Sequence, residues 1–169
     1  MSNDVQVTMR GRSVTLSGVI PEVGSPAPDF SAVTTKMEDF HLGQLSGHVV
    51  LVASVPSLDT PTCDVETRRF NQEAAALGPE IRIVTVSMDL PFAQARWCGA
   101  AGVDRVTTVS DYRDRSFGDG WGLRIREVGL LARAVSVVDR GGVVRYMQVV
   151  QEMVEQPDFD AALEAVRAV

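Results

Sequence analysis

The residues best suited to chemistry lie in one short stretch, where Pro56, Thr60 and Cys63 follow an apolar run that ends at residue 55. This order predicts a buried strand, a short loop and a helix that Cys63 opens. The unpaired N–H groups and the partial positive charge of a helix N-terminus favour an anion at that place. For Cys63 the anion is the thiolate, which is the nucleophilic form of cysteine. The stretch therefore predicts a reactive thiol.

Each candidate residue also has an ordinary structural interpretation. Cysteine is among the most buried residue types, so Cys63, and with more reason Cys98, could simply pack in a core. Thr60 could serve only as a helix cap, and Asp59 is better interpreted as a loop or capping carboxylate than as a general base. Nothing local separates Arg133 from an ordinary charge at the edge of a strand. The residues alone leave these alternatives open.

The composition limits the class of protein. The 169 residues, 45% of them hydrophobic, fit one domain over residues 1–169 with a single core. A formal charge of -6 and the lack of a basic block argue against nucleic acid as a partner. The two cysteines make no disulfide framework, and His41 and His48 show no metal spacing. We expect neither a metal nor another cofactor.

The location of the protein is predicted from what its sequence lacks. No uninterrupted apolar run approaches the ~20 residues that a helix needs to cross a bilayer. The first ten residues have neither the charged start nor the apolar segment of a secretory signal. We therefore expect a cytoplasmic protein with no membrane partner.

Apolar runs rich in β-branched residues predict the strands that position the candidate residues. Residues 48–55 are nearly all apolar, which is typical of a central strand buried on both faces of a mainly parallel sheet. The helix after the Pro56 loop shows its repeat from about Val65 and stops at Gly78. Further strands are predicted at residues 30–34, 81–86, 106–110, 133–138 and 143–149.

The second cysteine belongs to another predicted helix. Pro91 suits the first turn of that helix, and Cys98 lies near its end. A last helix with an apolar stripe begins at about Asp158. Residues 117–121 are predicted to be irregular, and the alternation over residues 5–20 predicts an N-terminal hairpin. Strands alternating with helices indicate an α/β domain with a central mixed sheet flanked by helices.

Several separated segments resemble the peroxiredoxins, and in particular their thiol peroxidase branch. The pattern Pro-x-x-x-Thr-x-x-Cys, formed by Pro56, Thr60 and Cys63, resembles the active-site motif of the family, and the preceding Gly-x-x-Ala-Pro-x-Phe resembles the start of its domain. The segment around Cys98 resembles the family's resolving segment, and Leu-Leu-Ala-Arg-Ala-Val around Arg133 resembles the segment with its active-site arginine. The resemblance implies a thioredoxin-like fold to which the N-terminal hairpin is added.

The resemblance also implies a function and a role for each residue. It implies a peroxidase that reduces hydrogen peroxide and organic hydroperoxides, with Cys63 as the peroxidatic thiol. Cys98 would resolve the sulfenic acid as an intrachain disulfide, which a thioredoxin-like dithiol would then reduce. Pro56 would wall the pocket, while Thr60 and Arg133 would hold the peroxide oxygens. A homodimer is expected because the family commonly forms one.

Two other functions are alternatives to a peroxidase. A thiol-disulfide oxidoreductase on the same fold needs a second thiol three residues from the first, and Thr60 occupies that place. A redox-sensing module, whose disulfide changes a partner surface, is compatible with the sequence. A disulfide tolerates no more than roughly 7 Å between its Cα atoms, and where thiols on different helices lie farther apart than that, local unwinding is required. We therefore expect the segments around Cys63 and Cys98 to rearrange on oxidation.

Overall fold

Residues 5–169 are described by a computed structural model of α/β architecture. In chain order the strands are β1 Val7–Met9, β2 Arg12–Val14, β3 Leu16–Ser17, β4 Ser31–Thr34, β5 Asp39–His41, β6 Val49–Ser54, β7 Ile81–Ser87, β8 Thr107–Ser110, β9 Arg124–Ile125, β10 Ala134–Val138 and β11 Val144–Val149. The helices are α1 Pro61–Ala74, α2 Pro91–Ala101, α3 Ser116–Gly120 and α4 Phe159–Ala168, with a 3-10 helix at Leu42–Leu45.

A seven-stranded mixed sheet organises the molecule, in the order β11, β10, β6, β7, β8, β4, β5. β6 is parallel to β7, β7 is parallel to β8, and β10 lies antiparallel to β6. Every residue of β6 is buried, as its apolar, β-branched sequence requires. The fold prediction of a central mixed sheet flanked by helices is confirmed.

The side chains of β6 alternate between two hydrophobic layers. Leu51 points into a layer built with the helices, where α1 contributes Phe70 and α4 contributes Leu163. Val52 points into the opposite layer, which holds most of the aromatic side chains of the core and is closed by the N-terminal strands. Within residues 5–169, none of the helices combines the length and the apolar character needed to cross a bilayer.

The hairpin predicted over residues 5–20 is shorter than expected. β1 and β2 pair with each other as a hairpin, but β3 leaves it and pairs antiparallel with β9. The backbones of Gly18 and Gly122 meet where β3 ends, and a Cβ on Gly122 would lie 2.6 Å from the carbonyl carbon of Val19. Two glycines without side chains therefore allow a pairing that alternation within residues 5–20 cannot reveal.

Two helix predictions also need correction. Residues 117–121, predicted to be irregular, include most of α3, whose first N–H groups at Phe117 and Gly118 are bound by the Asp111 carboxylate. A five-residue helix is too short to produce a recognisable period. α1 begins at Pro61, two residues before the predicted start at Cys63 and ahead of the apolar repeat that begins near Val65, because proline suits the first helical position.

Candidate active site

The first turn of α1 holds Cys63, and Thr60 occupies the N-cap position. The Thr60 side chain makes no capping bond; its Oγ1 lies 2.7 Å from Cys63 Sγ and 2.9 Å from the Ser57 carbonyl oxygen. A hydroxyl group has one hydrogen and donates one full hydrogen bond at a time. With a thiolate the hydroxyl donates to sulfur, and with a thiol the S–H donates to Thr60, which then donates to Ser57. Thr60 can therefore adapt to both states of the sulfur.

Arg133, directly before β10, reaches the same sulfur from the other side. Its Nη2 donates to Cys63 Sγ at 3.2 Å and to the Met153 carbonyl oxygen at 2.9 Å, and its Nε donates to the same carbonyl at 3.1 Å. Only 1% of the Arg133 side chain is exposed. The guanidinium is thus held rigidly beside the sulfur, as its planar set of donors allows.

Glu66 completes this group and was missed by the sequence reasoning. It lies one turn after Cys63, is 0% exposed, and accepts a hydrogen bond from Arg133 Nη1 through Oε2, while Oε1 has no hydrogen-bond partner. Burial raises the pKa of Glu66 to about 7, against the lowering effect of the Arg133 charge. The sequence held a signal, because Glu66 stands on the buried stripe of α1 formed by Cys63, Thr67 and Phe70.

The walls around the sulfur are apolar. Cys63 is 0% exposed and packs with Val55, Leu58 and the ring of Trp97. Pro56 is also buried, at the start of the loop between β6 and α1. A low-dielectric wall strengthens the attraction between the guanidinium and any negative charge on sulfur or a bound oxygen. The arrangement suits attack by a sulfur anion on an electrophile whose leaving group gains negative charge.

The second cysteine lies apart from this group. Cys98 is half-buried in α2, and its Sγ lies 3.3 Å from Thr108 Oγ1 of β8. Both cysteines are free thiols. The structure thus brings Cys63, Thr60 and Arg133 into contact, with Pro56 at the start of the same loop, and leaves Cys98 in the layer beneath α2.

One carboxylate connects the Cys63 loop to the start of α2. Asp89 accepts from the Ser57 hydroxyl at 2.7 Å, from the Leu58 amide at 2.8 Å and from the Ser87 hydroxyl at 2.8 Å. Gln94 of α2 donates to the same Ser87 hydroxyl at 3.0 Å. The loop that carries Thr60 is therefore fixed to the element that carries Cys98.

Between residues 5 and 169, no three side chains of His, Cys, Asp or Glu come together in a way that could hold a metal ion.

Known proteins are similar to this chain over most of its length. The family described as Redoxin matches residues 22–163. A thiol peroxidase of Bacillus subtilis is 47% identical over 163 residues, covering 96% of this chain and 97% of its own. A thiol peroxidase of Clostridium acetobutylicum is 46% identical over 164 residues, covering 97% of this chain and 99% of its own.

Solved structures show the same fold. A peroxiredoxin-like protein from Aquifex aeolicus superposes with a TM-score of 0.91 at 38% identity, covering 97% of this chain and 96% of its own. A thiol peroxidase from Chromobacterium violaceum superposes with a TM-score of 0.88 at 22% identity, covering 98% and 97%, and shows the likeness of fold. With matches of this extent, the chain belongs to the redoxin family and, within it, to the thiol peroxidase branch of the peroxiredoxins.

Proposed function

We propose that this thiol-dependent peroxidase reduces hydrogen peroxide and organic hydroperoxides through Cys63, and that Cys98 resolves the product. The observation that carries the proposal is the position of Cys63 Sγ between Thr60 Oγ1 at 2.7 Å and Arg133 Nη2 at 3.2 Å. The same two donors can contact the oxygens of a peroxide that approaches the sulfur. The family supports the thiol-dependent peroxidase activity itself.

In the first step the Cys63 thiolate attacks one peroxide oxygen. The O–O bond breaks, Cys63 becomes a sulfenic acid, and the leaving oxygen takes a proton to depart as water or an alcohol. A larger fraction of thiolate alone raises the rate of attack only slightly, because nucleophilicity falls as a thiol becomes more acidic. The remaining acceleration comes from stabilisation of the leaving oxygen by Arg133 and Thr60. Pro56, which is buried, keeps water out of the pocket.

In the second step the Cys98 thiol condenses with the sulfenic acid, releases water and forms an intrachain disulfide. The two sulfurs lie in separate environments in the reduced protein, one beside Arg133 and the other beside Thr108. Resolution therefore requires the first turn of α1 and the end of α2 to rearrange. A thioredoxin-like dithiol would then reduce the disulfide. The homodimer and the cytoplasmic location stay predictions.

Peroxide consumption coupled to thioredoxin and its reductase tests the proposal. We expect sustained consumption by the unaltered protein, none by Cys63→Ser, and a single equivalent by Cys98→Ser. Stoichiometric oxidation without turnover in the unaltered protein would favour a redox sensor over a peroxidase.

The role of Thr60 has a matched control in the same turn. Thr60→Val keeps the shape and removes the hydroxyl, and we expect the reaction with peroxide to slow roughly 10²-fold. Thr62→Val removes a hydroxyl that donates to the Val154 carbonyl oxygen, away from the sulfur, and should react at nearly the unaltered rate. Equal rates for the two variants would contradict a role of Thr60 in the reaction.

A further inference from the structure

The side chain that α2 presents to the Cys63 pocket is Trp97, and not Cys98. Trp97 packs against Val55, Leu58 and Cys63, whereas Cys98 Sγ contacts Thr108 of β8. Both side chains also pack against the helix-side core, but of the two only Trp97 packs against the cluster that contains Cys63. Successive side chains of a helix point about 100° apart, so α2 must turn or unwind before the Cys98 sulfur can take the place that Trp97 holds beside that cluster.

Trp97 is fixed to α1 by a small polar group. Its Nε1 donates to Asp64 Oδ1 at 2.9 Å, and the other oxygen of Asp64 accepts from Arg68 Nε at 2.9 Å. The Arg68 guanidinium also lies 5.8 Å from the centroid of the Trp97 ring and donates to the Ala101 carbonyl oxygen of α2 at 3.2 Å. Asp64, which follows Cys63, is thus hydrogen-bonded to Trp97, which precedes Cys98. We call Asp64, Arg68 and Trp97 the latch.

We propose that the latch sets the rate at which Cys98 reaches the oxidised Cys63, and so decides how much of the sulfenic acid is overoxidised. This inference rests on the proposed function, since it assumes that Cys98 is the resolving thiol. Trp97 acts as a positioning residue: it holds α2 against α1 while Cys63 reacts, and must be released before the disulfide forms. Weaker latch contacts favour the released state and therefore speed resolution.

Two reactions compete for the sulfenic acid. In one, the Cys98 thiol attacks Cys63, the S–O bond breaks, and the products are the disulfide and water. In the other, a second hydroperoxide transfers one oxygen to the Cys63 sulfur, and the products are the sulfinic acid and water or an alcohol. Only the second rate increases with peroxide concentration. The opening of the latch therefore fixes the peroxide concentration at which the two outcomes are equal.

Two variants weaken the latch without touching either thiol. Trp97→Phe keeps an aromatic ring against the pocket and removes the donor to Asp64. Arg68→Gln removes the ion pair with Asp64 and the guanidinium near the ring. Arg69→Gln is the matched control, because Arg69 on the same helix forms an ion pair with Glu73 at 3.0 Å and lies 5.1 Å from the Phe159 ring of α4. It removes the same kinds of contact, and the same charge, outside the latch.

The experiment mixes each reduced, full-length protein with hydrogen peroxide, stops the reaction with acid at successive times, and measures the intact mass. Gain of one oxygen reports the sulfenic acid, loss of two hydrogens the disulfide, and gain of two oxygens the sulfinic acid. For Trp97→Phe and Arg68→Gln we expect disulfide formation roughly two- to tenfold faster, the effect of losing one ordinary hydrogen bond. The sulfinic fraction at excess peroxide should fall in both latch variants. The rate of sulfenic acid formation should stay unchanged in Arg68→Gln, whose side chain is 47% exposed, and the Arg69→Gln control should behave as the unaltered protein does.

Resolution that is no faster in either latch variant would overturn the proposal. So would an equal acceleration in Arg69→Gln, since that result indicates general loosening of α1. A slower first oxidation in Arg68→Gln would show that the latch contacts support the Cys63 pocket and not its opening, and would also overturn it. If the unaltered protein formed no disulfide, resolution by Cys98 would itself be refuted, which is distinct from a disulfide that forms at a rate the latch does not affect.

Discussion

At the centre of the site, one guanidinium donates hydrogen bonds to two acidic groups. Arg133 donates to the Cys63 sulfur through Nη2 and to the Glu66 carboxylate through Nη1. Burial raises the pKa of Glu66 to about 7, so this carboxyl changes charge close to neutral pH. When Glu66 is ionised, its negative charge offsets part of the positive charge of Arg133, which in the proposed mechanism stabilises the thiolate and the leaving oxygen. When it is protonated, that charge acts on the sulfur alone.

Two substitutions separate the charge of Glu66 from its anchoring of Arg133. Glu66→Gln keeps an acceptor for Nη1 but no negative charge, so we expect its reaction with hydrogen peroxide to exceed the unaltered rate by a few-fold at about pH 8. The rates should converge at about pH 6, one unit below the Glu66 pKa. Glu66→Ala loses the anchor and should be slower at both pH values, roughly tenfold or more. Stopped-flow measurement of the reaction rates tests this expectation. Equal slowing in Glu66→Gln and Glu66→Ala would contradict the claim that the Glu66 charge competes with the sulfur for Arg133.

At the scale of elements, the site depends on the loop between β6 and α1. This loop is fixed by Asp89, which follows β7 and precedes α2, through the Ser57 hydroxyl and the Leu58 amide. The parallel pairing of β6 and β7 brings the ends of both strands to one edge of the sheet. The shape of the loop that carries Thr60 therefore depends on the neighbouring strand as well as on its own sequence.

Removal of the Asp89 carboxylate should affect both stability and rate. Asp89→Ala leaves the Leu58 N–H without its acceptor, so we expect the free energy of unfolding to fall by about 1–3 kcal/mol. A shift of Thr60 should slow peroxide reduction roughly tenfold. Asp29→Ala is the control, since it removes a carboxylate that binds the Phe30 and Gly43 amides at 2.9 and 3.1 Å. For Asp29→Ala we expect a comparable loss of stability with an unchanged rate of peroxide reduction. An unchanged rate in Asp89→Ala would contradict the account.

The elements show how far sequence reasoning reaches. β6 and β7 were located because long β-branched apolar runs carry a clear signal, and Cys63 was placed at a helix start because it lies between the apolar run that ends at residue 55 and the helical repeat that begins near Val65. The pairing of β3 with β9 was not predicted, since residues 16 and 125 meet through a close approach of glycine backbones. Glu66 was missed because its role depends on Arg133, which is distant in the chain.

For the molecule as a whole, ionisable groups of two kinds respond oppositely to pH. Glu152 accepts from the Thr8 hydroxyl and from the Gly11 and Arg10 amides, which lowers its pKa to about 2. Its stabilising effect is complete above its ordinary pKa of 4.5 and is lost as the pH falls toward 2. Burial raises the pKa of Glu66 to about 7 and of Asp111 to about 6. Their contributions to stability are complete below the ordinary pKa values of 4.5 and 3.8, and are lost as the pH rises from there through the raised values.

These opposite effects predict a stability optimum on the acid side of neutral. We expect the urea midpoint of the reduced protein to be highest at about pH 4 to 4.5 and to decline toward both sides, with the neutral-side decline falling between about pH 4.5 and 7. Glu66→Gln should lessen the decline on the neutral side, because it removes one of the two groups that cause it. A midpoint that rises steadily through pH 7 in the unaltered protein would contradict the raised pKa values.

The central claim is that Cys63 takes one oxygen from peroxide and passes the oxidation to Cys98, starting from a structure in which both are free thiols. The most direct measurement is the mass of the intact protein after one equivalent of hydrogen peroxide. The account predicts loss of two hydrogens in the unaltered protein, gain of one oxygen in Cys98→Ser, and no change in Cys63→Ser. Oxidation of Cys63→Ser at the unaltered rate, or an oxygen retained by the unaltered protein, would contradict it.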